Sequence, residues 1–164
     1  MGAVCFTGHR RIEDDLDREK LDRAIERAIE IGCDTFIFGG ALGFDTLAAE
    51  IVLSKKKKYP NIKLHLYLPC RDQSSYWSYI DRLRYHNIRE AADYVDEPSY
   101  KYFDGCMRTR NYKMVDNANI CICYLNSTGR SGTAQTVRYA LKRGMKVANV
   151  SSAGQRILNE LESK

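Results

Sequence analysis

The chain has 164 residues, 44% of them apolar and 29% charged, with a net charge of +5. Those figures suit one domain over residues 1–164 with a core of its own, and a charge this mild is no nucleic-acid footprint by itself. No apolar segment is long enough to span a bilayer, and the N-terminus lacks the basic and apolar regions of a signal peptide, so a cytoplasmic protein with no membrane partner is expected.

In chain order, Ala3 to Thr7 reads as a short apolar strand that ends in Thr7-Gly8-His9-Arg10. Leu16, Leu21, Ala24, Ile25, Ala28 and Ile29 mark an amphipathic helix closed by Gly32. Thr35 to Phe38 is a second strand, running into Gly39-Gly40-Ala41-Leu42-Gly43. A helix follows from about Phe44 and ends in the run Lys55 to Lys58, which reads as a solvated helix end. Ile62 to Leu68 is a third strand, Pro69 to Ser75 a loop, Tyr76 to Ala92 a helix and Tyr94-Val95 a brief fourth strand. A helix from about Cys106 to Asn117 then feeds the strand Ile120 to Leu125. Asn126 to Ser131 is turn chemistry, and from Gly132 to Arg143 apolar residues recur at helical spacing until Gly144. Lys146 to Val150 is the last strand and Ala153 to Leu161 a terminal helix. Short buried strands separated by helices imply an α/β, Rossmann-like parallel sheet sandwiched between helices.

The cysteines fit that plan. Cys5, Cys121 and Cys123 fall inside strands, Cys33 and Cys106 at helix ends, and Cys70 after a proline. No C-x-x-C pair or Cys/His cluster stands at metal spacing, so six buried free thiols and no metal are expected.

In a parallel sheet of this kind ligands bind beyond the carboxyl ends of the strands. Three loops sit at such ends: Gly8 to Arg11, Gly39 to Asp45 and Thr128 to Thr133. The last of these joins a buried strand to a helix whose first turn offers unpaired N–H groups and the positive end of the helix dipole to an anion. Gly129 and Gly132 allow close approach of a ligand, while Ser131 and Thr133 either cap the helix or donate hydroxyls to a phosphate. An ordinary strand-to-helix turn with a good cap has the same signature. Asp45 either hydrogen-bonds helix N–H groups or holds a ribose hydroxyl, and Glu50 lies one to two turns beyond it. His9 and Arg10 are candidates to contact phosphate or base, Arg10 through its planar fork of donors, with plain surface charge as the alternative for Arg10 and Arg11. Arg110 and Asn111 lie one turn before Met114 and Val115, so Arg110 is placed to reach a pocket rim, with Asp116 as a partner for it or for Lys113.

Together Thr7-Gly8-His9-Arg10, Gly39 to Asp45 with Ala48-Ala49-Glu50, Arg110-Asn111 with Met114-Val115-Asp116, and Gly132-Thr133 with Thr136-Val137 resemble the YpsA-like branch of the SLOG superfamily. The resemblance covers nearly the whole chain. That superfamily also holds the LOG-type phosphoribohydrolases, which release cytokinin bases from nucleoside monophosphates, and the DprA proteins, which load recombinase on single-stranded DNA. The resemblance implies a Rossmann-like fold and a pocket for a nucleotide or nucleotide-derived ligand. Arg110 followed by Met114 matches the arginine of the LOG-type Arg-Lys-x-x-Met motif, which positions substrate for glycosidic cleavage. The LOG-type motif Pro-Gly-Gly-x-Gly-Thr-x-x-Glu falls on Thr128 to Thr136, where its second glycine is Arg130 and its catalytic glutamate is Thr136. A threonine supplies no carboxylate at neutral pH.

The leading expectation is therefore a nucleotide-binding domain acting as a sensor or adaptor, without a further cofactor. Its phosphate would sit on Gly129, Arg130, Ser131, Gly132 and Thr133, beside Thr136. Ribose and base would lie between Thr7, Gly8, His9 and Arg10 and the loop of Gly39, Gly40, Ala41, Gly43 and Asp45, with Arg110 and Asn111 at the rim. The alternative is a nucleotide hydrolase in which Arg110 and a carboxylate from Asp45 or Glu50 act on an N-glycosidic bond. A third reading, single-stranded nucleic-acid binding, draws on Tyr76, Trp77, Tyr79 and Tyr85 interleaved with Arg82 and Arg84. Helical spacing favours core packing for those aromatics. A homodimer is implied by resemblance, with the helix from Tyr76 to Ala92 as its face.

Overall fold

The structure is a computed structural model and describes residues 2–163. Six strands, β1 (Gly2–Gly8), β2 (Cys33–Phe38), β3 (Lys63–Tyr67), β4 (Tyr94–Asp96), β5 (Ile120–Tyr124) and β6 (Lys146–Asn149), alternate with six helices. These are α1 (Arg18–Glu30), α2 (Phe44–Lys55), α3 (Tyr79–Ala91), α4 (Cys106–Asp116), α5 (Gly132–Lys142) and α6 (Gly154–Glu162). Every ladder is parallel and the strand order is β4-β3-β2-β1-β5-β6. The α/β, Rossmann-like class expected from the alternation is the fold found.

Because alternate residues of a strand face opposite sides, each strand supplies two cores. On one side Val4, Phe6, Phe36 and Phe38 pack under α1, α2 and α3, with Leu21, Ile25, Phe44, Val52 and Ile88 pointing in. The rings of Phe6 and Phe38 stack 4.2 Å apart. On the other side Cys5, Ile37, Cys121 and Cys123 lie under α4, α5 and α6, against Met114, Val137 and Ile157. All six cysteines are buried free thiols. Each buried Phe, Leu or Ile contributes about 1.5–3 kcal/mol relative to exposure, so the two cores fix the helices and hence the loops between them.

Local differences from the sequence reading have simple causes. The helix expected from Tyr76 begins at Tyr79, because the Ser78 hydroxyl accepts from the Asp81 N–H (3.2 Å) and caps it there. Its aromatics divide rather than all packing inward. Tyr85 is buried and meets Trp77 edge-on, while Tyr76 is 99% and Tyr79 72% exposed. The lysine run is more than solvated. Lys55 bonds Asp22 (2.7 Å) and Glu26 (3.0 Å), and Lys56 bonds Asp93 (2.6 Å), tying α2 to its neighbours.

Candidate functional site

The strand order reverses between β1 and β5, whose following helices lie on opposite faces of the sheet. Their loops therefore part and leave a crevice at the carboxyl edge. A cleft of about 310 Å³ opens there. Thr7, Gly8, His9 and Arg10 form one wall, Ala41 and Asp45 a second, Met107, Arg110 and Asn111 of α4 a third, and Ser131, Gly132 and Thr133 the start of α5.

Each wall is held by its own bonds. The His9 carbonyl accepts from the Phe44 N–H (3.2 Å), and His9 Nε2 accepts from the Asn126 N–H (3.3 Å), which joins the first loop to the other two. As an acceptor at Nε2 this imidazole is neutral, and its burial pulls the pKa below the ordinary value against the pull of Asp15 and Glu13. Gly43 closes the second loop with φ +77°, and a Cβ there would stand 2.0 Å from the Arg10 carbonyl oxygen, so only glycine allows the two loops to touch. Asn149 brackets the end of β5, its amide accepting from the Leu125 N–H (3.0 Å) and donating to the Leu125 carbonyl (2.8 Å).

Asp45 and Arg110 are the charged groups of the cleft that are nearly withdrawn from water, at 6% and 8% exposure. Asp45 Oδ2 accepts from the Gly39 (3.1 Å) and Ala41 (3.3 Å) N–H groups, clasping its own loop rather than capping α2. Burial nevertheless pushes its pKa up to about 6, against the opposing pull of Arg110 and those two N–H groups. Arg110 Nη1 donates to the carbonyls of Gly39 (2.5 Å) and Tyr67 (3.4 Å), and Nε donates to Asn111 Oδ1 (2.8 Å). A Cβ on Gly39 would stand 2.4 Å from Nη1, so this glycine admits the guanidinium. The acceptor of Nη2 among the described residues is the thioether of Met107 at 3.7 Å, a weak one.

At the start of α5 the Ser131 hydroxyl caps the helix by accepting from the Ala134 N–H (3.0 Å). The N–H groups of Gly132 and Thr133 have no acceptor among the described residues, and both residues line the cleft. Apart from its chain neighbours and the backbone of its own helix, no described atom lies within 4 Å of where a Gly132 Cβ would be.

The remaining expected residues lie outside the cleft. Thr136 is buried, and its hydroxyl donates to the Gly132 carbonyl (2.8 Å), so it braces the first turn from beneath. Glu50 is engaged by Arg84 of α3 (2.6 and 3.0 Å). Gly39, Gly40 and Gly43 shape the second loop from behind, Gly129 belongs to the turn before α5, and Arg130 lines a neighbouring groove. Asp116 pairs with Arg143 (3.3 Å) and with the Tyr139 hydroxyl (2.7 Å), and Lys113 with Asp96, so Asp116 is not the partner of Arg110, whose charge interacts with buried Asp45 instead. Phe6, Met107 and Asn149 had no signal in the sequence, because apolar and amide residues in elements read as structure. Among the described residues no group of three or more His, Cys, Asp or Glu is arranged to hold a metal ion, and no helix is long and apolar enough to cross a membrane.

The sequence profile of the YspA SLOG family matches residues 5–153, which takes in all four walls of the cleft. The chain belongs to the YspA SLOG family. A UPF0398 protein of Halalkalibacterium halodurans is 33% identical over 104 residues, covering 62% of this chain and 55% of that protein. A UPF0398 protein of Leuconostoc citreum is 27% identical over 123 residues, covering 69% of this chain and 65% of that one. The match thus spans between about half and two thirds of these SLOG relatives. DNA processing protein A of Helicobacter pylori, a single-stranded DNA binder, superposes with a TM-score of 0.66 over 96% of this chain and 72% of that one. At 20% identity that likeness is one of fold.

Proposed function

We propose that this SLOG domain binds a nucleotide or nucleotide-derived ligand and acts as a sensor or adaptor. The phosphate rests on the Gly132 and Thr133 N–H groups, with Arg110 Nη2 as the charged donor opposite them. Ribose and base extend between His9, Arg10 and the loop that Asp45 clasps. The observation that carries the reading is Arg110: a guanidinium 8% exposed, with a thioether as the acceptor of one nitrogen, lining the same cleft as the first residues of α5. A buried cation so placed gains most from an anionic ligand.

A thermal-shift screen of the purified protein against nucleoside mono-, di- and triphosphates tests this, because a ligand present at about 100 times its Kd adds about 2.7 kcal/mol to the folded state. Stabilisation by nucleotides that is lost in Arg110→Met supports the reading. No shift with any nucleotide sinks it.

One observation favours a second reading, hydrolysis of an N-glycosidic bond. Asp45 is a cleft carboxylate with its pKa raised to about 6, in the range of a general acid or base at neutral pH. Chromatography of the same mixtures separates the two. Free base released by the protein, and abolished in Asp45→Asn, would establish the hydrolase.

A further inference from the structure

Beyond the cleft, a groove of about 530 Å³ runs along α5, lined by Ser131, Gly132, Gln135, Arg138 and Lys142, with Arg130 at its head and Tyr112 and Tyr139 along its side. It is continuous with the cleft, since Ser131 and Gly132 line both. Gln135, Arg138 and Lys142 recur at three and four residues, so they form one stripe of α5. From Gly132 to Lys142 the stripe is about 15 Å long.

Its charge is one-sided. Three cations line it and no carboxylate does. Among the described residues none of the three is in an ion pair, although Lys55, Lys56, Arg84 and Lys113 are. Among the described residues the hydrogen bond of Arg138 runs from Nη2 to the Thr128 carbonyl, at 3.4 Å. Asp116, which accepts from the Tyr139 hydroxyl of the wall, lies outside the lining and is paired with Arg143. Tyr112 and Tyr139 stack 4.1 Å apart at 15°, giving the wall a fixed aromatic surface. The basic lining also ends. The adjoining recess is lined by the same Arg138 and Lys142 with Leu141, Met145, Leu161 and Glu162, and so adds a carboxylate and no further cation.

We infer that this groove is a second anionic subsite, taking the second phosphate and attached nucleoside of a dinucleotide whose first nucleotide occupies the cleft. The inference rests on the nucleotide reading above. Arg138 and Lys142 receive the phosphate, and the Tyr112–Tyr139 wall offers the second base a surface to pack on. The limited length of the basic stripe argues for two nucleotides and against a long strand, whose backbone needs a continuing track of positive charge.

Calorimetric titration with AMP, the 5′-phosphorylated dinucleotide pApA and oligothymidylates tests the proposal. The wild type is expected to bind pApA about tenfold or more tighter than AMP, as one or two charge-assisted hydrogen bonds would give. Arg138→Ala/Lys142→Ala should bring pApA down to the affinity of AMP while leaving AMP unchanged. Lys142→Glu alone, which touches no residue of the turn before α5, should act in the same direction and guards against loss of the Arg138 bond to Thr128. Equal affinity for AMP and pApA, or an equal loss of both in the variants, overturns the subsite while leaving nucleotide binding intact. Affinity that keeps rising with oligothymidylate length and falls steeply with salt overturns it in favour of a nucleic-acid strand. Absence of binding to AMP and to every other nucleotide defeats the underlying reading and the subsite together.

Discussion

Asp45 gives the sharpest test of how the cleft is built, because it is a carboxylate kept in a place where ionisation is costly. Replacing it with asparagine preserves an oxygen for the Gly39 and Ala41 N–H groups and removes the titration. Folded Asp45 holds its proton up to about pH 6, whereas its ordinary value is 3.8. The folded state thus binds more protons between those values, so the contribution of Asp45 to stability is full below pH ~4 and is lost as pH rises through ~6. A difference of roughly two pKa units amounts to about 3 kcal/mol. Urea unfolding of both proteins at pH 4 and pH 7.5 reads it directly. The variant should match the wild type at the lower pH and exceed it by about 3 kcal/mol at the higher, with weaker nucleotide binding, since the ionised carboxylate is retained for a ligand at the expense of stability. A wild-type-to-variant difference that is the same at both pH values would refute the reasoning, because burial would then not be governing the ionisation of Asp45.

Arg110→Met removes the cation that lowers the Asp45 pKa and leaves the Gly39 carbonyl with one donor fewer, so a loss of about 3 kcal/mol is expected, with the pH-dependent window of Asp45 moved upward in the same unfolding series. Gly43→Ala must place a side chain at φ +77° and 2.0 Å from a backbone oxygen, and a cost of about 3 kcal/mol or more should appear in its denaturation midpoint. Gly32→Ala is its control: φ is +102° with nothing within 4 Å, so the backbone term of about 1 kcal/mol stands alone. Ser131→Ala deletes the cap of α5 and should cost about 1 kcal/mol by thermal unfolding, and a loss much above that would mean the turn itself depends on the hydroxyl.

Much of the fold was legible in the residues. Apolar runs such as Ile120 to Tyr124 and the periodic face of Leu21, Ile25 and Ala28 are local patterns, and period and turn chemistry are local physics. The glycine turns, the cap at Ser131 and the three loops at strand ends follow from the same order of elements. What the sequence could not contain is distance. Asp45 reads equally as a cap or a ligand contact, and only folding shows its oxygen clasping Gly39 and Ala41, because that depends on how the loop closes over Arg110 from a helix 65 residues away. Glu50, a turn and a half beyond Asp45 on the same helix, was equally eligible, and the packing of α3 against α2 engages it with Arg84 instead. Thr136 likewise takes its role from the carbonyl four residues before it. The groove of Arg138 and Lys142 had no motif at all, since charges on one helical stripe are ordinary until the neighbouring helix supplies the opposite wall. Pattern along the chain thus determined the elements and their order, while the facing of side chains across β1, β5, α4 and α5 was decided by packing, which couples residues far apart in sequence.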